Sequence, residues 1–331
     1  MSAAPKNTSI LRRMVPGLLL GFFVLLGLAL FGDLQQVSRD MLHFRWGLFP
    51  FVLLFTLFNY ILRFFKWDFY IHQMGVKNLS KLESLRLFVA GFPLAVTPGK
   101  VGEVFKAVWL NQASGLPTAR GVSVVLAERI SDGLAVLLLS VSGVIAFPKY
   151  WPAFALILAF LVGIVTLTQI RPLALKILSI SENIRLVSRF AHNLREFYEG
   201  SFALFRPGPT LLAVGLGTIS WLGEGIGFYL ILIGLGQPPS WDLASTAVFI
   251  LSFSTVVGAV STLPGGLGAA EASIAGMLGL LAGLNGASAS AATLLVRLAT
   301  LWFGVSLGLI VWLFSPVLFG IKVEDGIVSP G

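Results

Sequence analysis

An all-α, polytopic membrane fold is what this sequence predicts, and three observations carry that reading. Of its 331 residues, 56% are hydrophobic and only 11% are charged, whereas a soluble domain carries about 25% charged residues. Apolar runs recur from residue 15 to residue 319 and leave no interval large enough for a separate soluble domain. Two glycine-rich breaks then interrupt the apolar sequence, each with charges that would lie at membrane depth. Cysteine is absent, which excludes a disulfide framework and a cysteine-based metal site. The formal charge of +8 is read as basic cytoplasmic loops, not as a nucleic-acid footprint, because membrane proteins collect Lys and Arg on that side.

A span needs about 20 mostly apolar residues. Six full spans are expected, at residues 14–31, 46–65, 121–147, 151–170, 210–235 and 287–319. The first follows Lys6, Arg12 and Arg13 as a signal peptide would, but it is long and lacks a small-residue cleavage site, so it reads as an uncleaved span. Residues 32–45 read as a polar loop. Residues 171–207 are polar and basic, with Ile177, Ile180, Ile184, Val187, Ala191, Leu194 and Tyr198 spaced three and four apart. That spacing predicts an amphipathic helix, lying on the membrane surface or docked on a partner.

Two segments are broken. The first, residues 82–110, turns at Pro98-Gly99, and each half is too short to cross. The second, residues 244–284, turns at Pro264-Gly265-Gly266. Both read as re-entrant hairpins, since non-helical backbone at membrane depth is tolerated only where protein buries it or water lines it. With the N-terminus inside, 15 of the 23 Lys and Arg fall in inner loops and tails. Both termini are then cytoplasmic, and the two hairpins enter from opposite faces. The domain plan is one transmembrane unit over residues 1–331, with a first repeat at 46–147, a connector at 171–207 and a second, inverted repeat at 209–319. Inverted repeats built on broken helices characterise alternating-access transporters.

The charges repeat as well. Glu103 precedes Arg129 by 26 residues, and Glu271 precedes Arg297 by the same 26. A charge at the bilayer centre costs about 2.5–3.5 kcal/mol on insertion scales, so these groups need partners or water. Glu–Arg pairs that lock the halves together would satisfy part of the set. The more specific reading is a site for an anionic lipid head group. Arg129, Arg297 and Lys100 are its candidate cations, because a guanidinium fork suits phosphate oxygens. Gly99, Gly102, Gly265, Gly266 and Gly268 let backbone approach the head group, and helix starts with free N–H groups favour an anion. Glu103, Glu128, Asp132, Glu224 and Glu271 would pair with the bases or carry protons. Lys100 has no counterpart in the second hairpin, which points to capture from the inside and outward movement. His43, His72 and His192 lack metal-ligand spacing, and no metal, cofactor or catalytic residue is expected.

The motifs Thr97-Pro98-Gly99-Lys100-Val101-Gly102-Glu103, Glu128-Arg129-Ile130-Ser131-Asp132 and Pro264-Gly265-Gly266-Leu267-Gly268 with Glu271 resemble those of the lysylphosphatidylglycerol synthase transmembrane-region family, also called the flippase-like domain family. The resemblance implies an integral membrane protein that translocates lipids, and it includes relatives associated with polyprenyl-linked sugars, hopanoids or phospholipids. The chain ends at Gly331 without the cytoplasmic synthase domain that some relatives carry, so aminoacyl transfer is not implied. The expected function is a non-enzymatic lipid translocase of the cytoplasmic membrane. Its cargo would be an anionic phospholipid or a polyprenyl-phosphate-linked lipid. Two rivals are a non-transporting scaffold for a lipid or cell-wall synthesis enzyme and an intramembrane enzyme using Glu128 or Asp132 as general base.

Overall fold

The structure, a computed structural model, describes residues 33–146, 151–172 and 191–315, with Leu19, Gly21, Phe23, Val24, Gly27, Ala174 and Lys176. Among them every element is helical. The expected first span and most of the surface connector's apolar stripe lie outside the described residues.

Where a polar loop was expected there is instead a short helix, α1 (Leu34–His43). Its Asp33 cap accepts the Gln35 N–H at 3.1 Å. The helix packs through Val37 and Met41 against a cluster that includes Ala287, Ala291 and Leu294. After a 3-10 turn at Trp46–Leu48, α2 runs over Phe49–Gln73, eight residues beyond the expected end of its span. The overrun changes the meaning of Arg63 and Lys66, counted from sequence as loop residues. Both sit on the helix, and Lys66 is fully buried.

The first hairpin begins with α3 (Lys81–Ala90), whose start is set by a reciprocal cap between Ser80 and Glu83. The Ser80 hydroxyl and N–H hold the Glu83 carboxyl below its usual range. Two 3-10 turns, Phe92–Val96 and Pro98–Val104, lead into α4 (Phe105–Ser114). Each arm has 10 residues, or about 15 Å at the α-helical rise, half the apolar thickness of a bilayer.

The long α5 (Thr118–Ala146) follows, then α6 (Trp151–Gln169) and α7 (Ala191–Leu204). The described part of the connector packs on the protein itself: Gly200 lies against Ser123, and Glu196 pairs with Arg120 of α5. Next come α8 (Pro207–Gly234), α9 (Trp241–Val260), a 3-10 turn at Pro264–Gly266 and α10 (Ala269–Ala282). The chain then runs through α11 (Gly286–Arg297), a π-turn at Leu298–Trp302 and α12 (Phe303–Phe314). Among the described residues five segments are long and apolar enough to cross a membrane: Trp46–Gln73, Pro207–Gly234, Trp241–Val260, Pro264–Ala282 and Gly286–Phe314. Both arms of the second hairpin are therefore longer than those of the first.

The halves interlock. α2 lies along α8, where Gly223 meets Phe58 and Gly227 faces Val52. α12 seals the first hairpin: Trp312 donates to the Ala90 carbonyl at 2.8 Å. A Cβ on Gly308 would stand 2.2 Å from a Pro93 ring carbon and 2.8 Å from the Val89 carbonyl. Gly308→Ala is therefore expected to cost about 1–3 kcal/mol through overpacking. Gly163→Ala, with nothing within 4 Å of the new methyl, should leave stability unchanged. Thermal unfolding of the detergent-solubilised protein compares the two.

Candidate functional site: a charged chamber between the two hairpins

The two hairpin tips meet. The turn at Pro264–Gly266 touches both 3-10 turns of the first hairpin, and a Cβ on Gly265 would lie 3.5 Å from Val96. Backbone geometry makes this approach: Gly266 has φ +68, and a side chain there would reach within 3.0 Å of the Gly258 backbone of α9. Any larger residue would be strained in the left-handed region and would also clash.

Behind the meeting point is a cavity of about 480 Å³, within the range of small-ligand sites. The first half contributes Tyr60, Arg63, Glu103, Lys106, Arg129 and Asp132, and the second contributes Trp221, Glu224, Gly265, Gly266, Arg297 and Thr300. Arg129 and Arg297, which the sequence pairs by spacing, thus line one chamber. Each is held by the glutamate 26 residues before it. Arg129 Nε is 3.2 Å from Glu103 Oε2, and Arg297 Nε is 2.5 Å from Glu271 Oε1. Arg297 also donates to the Gly265 carbonyl at 3.1 Å, which ties it to the second tip.

The first half carries more charge than the second. Lys106 is 2.7 Å from Glu128 and stands over the Trp67 ring, 4.2 Å from its centroid. Asp132 collects Lys66 at hydrogen-bond distance, Arg63 at 3.5 Å and Arg129 at 3.6 Å. Glu103, Glu128, Asp132, Glu224 and Glu271 are all at least nine-tenths buried. Glu224 lines the cavity from the middle of α8.

Not every expected feature takes part as expected. Free N–H groups were anticipated at the helix starts, yet side chains and turns use several of them. Gly102 donates to Thr97 Oγ1 at 2.9 Å, Gly268 to Glu271 Oε2 at 2.7 Å, and Gly266 to the Leu263 carbonyl at 2.9 Å. Buried backbone donors are rarely left unpaired, so the local sequence supplies acceptors. Gly265 and Gly266 line the chamber, while Gly102 and Gly268 are not among its described lining residues. The surroundings of Gly99 and Lys100 lie outside what is described. Tyr60, Arg63 and Lys66 are not among the sequence candidates: Tyr60 sits inside an apolar span, and Arg63 and Lys66 count with the basic loop at its end. The signal that could have found them is spacing: Tyr60, Arg63 and Trp67 fall on one face of a continued α2.

Among the described residues no group of His, Cys, Asp and Glu could hold a metal ion. The fold and the chamber together define a multi-pass membrane protein with a buried, ion-paired cavity between two broken helical segments. Residues 18–308 match the family described as Lysylphosphatidylglycerol synthase TM region, and the chain belongs to that family. A relative from Methanothermobacter thermautotrophicus, described as a UPF0104 membrane protein, is 25% identical over 311 residues, covering 88% of this chain and 90% of the relative. No solved structure matches the chain.

The Glu271–Arg297 pair supplies a test of the electrostatics. Glu271→Gln strands a buried guanidinium and is expected to cost about 3–5 kcal/mol, whereas replacing both residues by Met costs less than the single change. Thermal melts of the three variants in detergent, read as a double-mutant cycle, measure the coupling.

Proposed function

We propose that this protein is a lipid translocase, not an enzyme, that moves an anionic phospholipid or a polyprenyl-phosphate-linked lipid across the cytoplasmic membrane by alternating access. The observation that carries this reading is the shared chamber: two arginines, one from each half, line one cavity, each clamped by a glutamate at equal sequence spacing. A phosphate can exchange for those carboxylates with little change in geometry, because both offer oxygens to the same guanidinium face. The acids thus keep the cations solvated in the empty state, and release of either arginine accompanies head-group binding. The tails stay among the apolar residues of the chamber wall, such as Leu137 and Leu161.

On this reading the two halves form an inverted repeat whose first hairpin is re-entrant, while both arms of the second, Trp241–Val260 and Pro264–Ala282, are long enough to cross. The short arms of the first hairpin support this, as does the meeting of the two tips. Both termini face the cytoplasm, as the Lys and Arg distribution favours. The class of protein partner that fits is an enzyme of lipid or cell-wall synthesis that supplies or consumes the cargo.

Leaflet exchange of a fluorescent anionic phospholipid in reconstituted vesicles tests the proposal. Arg129→Ala and Arg297→Ala should each slow exchange about 10- to 100-fold, the equivalent of about 1.5–3 kcal/mol for a hydrogen bond to a charged group. Exchange at the wild-type rate in both variants would remove the chamber from the mechanism.

A further inference from the structure

We propose that Glu224 binds the proton that energises this transport, one proton travelling with each monoanionic phosphodiester head group. The inference rests on the translocase reading and names its driving force.

Glu224 is the odd member of the chamber. Among the described residues it has no ion pair within 4 Å and no hydrogen bond, although it is 5% exposed and lines the cavity. The other four acids are committed: Glu103 to Arg129, Glu128 to Lys106, Asp132 to Lys66 and Arg63, and Glu271 to Arg297. The groups facing Glu224 come from three neighbouring helices. α2 brings Arg63 and Tyr60, the latter donating to the Thr300 carbonyl at 2.6 Å; α5 brings Asp132; α11 brings Arg297. α9 has no titratable residue beyond Asp242 in its first turn.

The charge balance follows from those partners. Among the residues whose surroundings are described, five buried or cavity-lining bases, Arg63, Lys66, Lys106, Arg129 and Arg297, oppose the four committed acids and Glu224. With Glu224 ionised the set is neutral. With Glu224 protonated it carries one net positive charge, which matches a phosphodiester monoanion. Uncompensated charge in a low-dielectric chamber is costly, so an anion bound without a proton, or a proton without an anion, is disfavoured. Each raises the affinity for the other by the same factor. The doubly loaded chamber is neutral and can change its facing without moving charge across the membrane. The proton enters on the side where the head group enters and leaves where it leaves. Lys100 can bias which face captures the lipid faster, while the proton gradient sets the net direction.

The test uses the full chain in vesicles of phosphatidylcholine containing tail-labelled fluorescent phosphatidylglycerol, with membrane voltage clamped at zero. One unit of pH difference should enrich the label about tenfold in the leaflet facing the alkaline side, since one pH unit is equivalent to a factor of ten in proton activity. Glu224→Gln should remove that enrichment. Label that exchanges but stays evenly distributed in wild type overturns proton coupling and leaves the translocase reading intact. Absence of protein-dependent exchange overturns both. Independently of the variant, wild-type protein in weakly buffered detergent should take up about one proton for each short-chain phosphatidylglycerol bound, as the charge balance requires. Binding without proton uptake also overturns the proposal.

Discussion

The constraint on which this structure depends is the cost of holding ionised side chains away from water. Each buried acid and base adds a desolvation penalty of several kcal/mol that only close partners recover. The helices are arranged so that nearly every such group finds one. Asp132 draws α2 onto α5 through Lys66 and Arg63, Glu128 draws α4 onto α5 through Lys106, and Glu271 holds α11 against the second hairpin through Arg297. Apolar packing alone would join these helices less specifically, because surrounding lipid solvates an apolar face as well as a neighbouring helix does.

Small residues make those pairings reachable. Gly223 and Gly227 let α8 approach α2, and Gly308 lets α12 settle on the first hairpin. Gly217 meets Ala135 and so brings α8 toward α5 near Asp132. The π-turn at Leu298–Trp302 begins directly after Arg297 and offers the Thr300 carbonyl to Tyr60. A π-bulge at this point is a common accompaniment of functional sites. Here it rotates the C-terminal half of the helix relative to the arginine, and Tyr60 ties the displaced turn to α2.

The proposed ligand-binding groups of the chamber are already satisfied by protein. Arg129 and Arg297 rest on carboxylates, and the amides of Gly102 and Gly268 rest on Thr97 and Glu271. This explains how such charge is accommodated inside a membrane. In the proposed cycle an entering phosphate would substitute for an existing acceptor, which avoids exposing a bare cation. On that proposal, specificity for anions would come from exchange of like for like, with the geometry of the guanidinium forks deciding which oxyanions fit.

Much of this was legible in the sequence. Composition determined the membrane class, the Pro-Gly breaks located both hairpin tips, and the interval of 26 residues identified each arginine with its own glutamate, since a short turn followed by helices of set rise fixes how far apart two paired side chains can be. Tertiary structure alone decided what depends on several helices at once. It placed Arg63 and Lys66 inside, because α2 continues past its apolar stretch only where Asp132 waits for them. It also turned the expected loop around Val37 into a helix, turned the described end of the connector onto α5, and left Glu224, among the described residues, without the partner that its neighbouring acids have. Partnership between distant charges is a property of three-dimensional proximity, and the order of residues along a chain records it only where the intervening geometry is rigid.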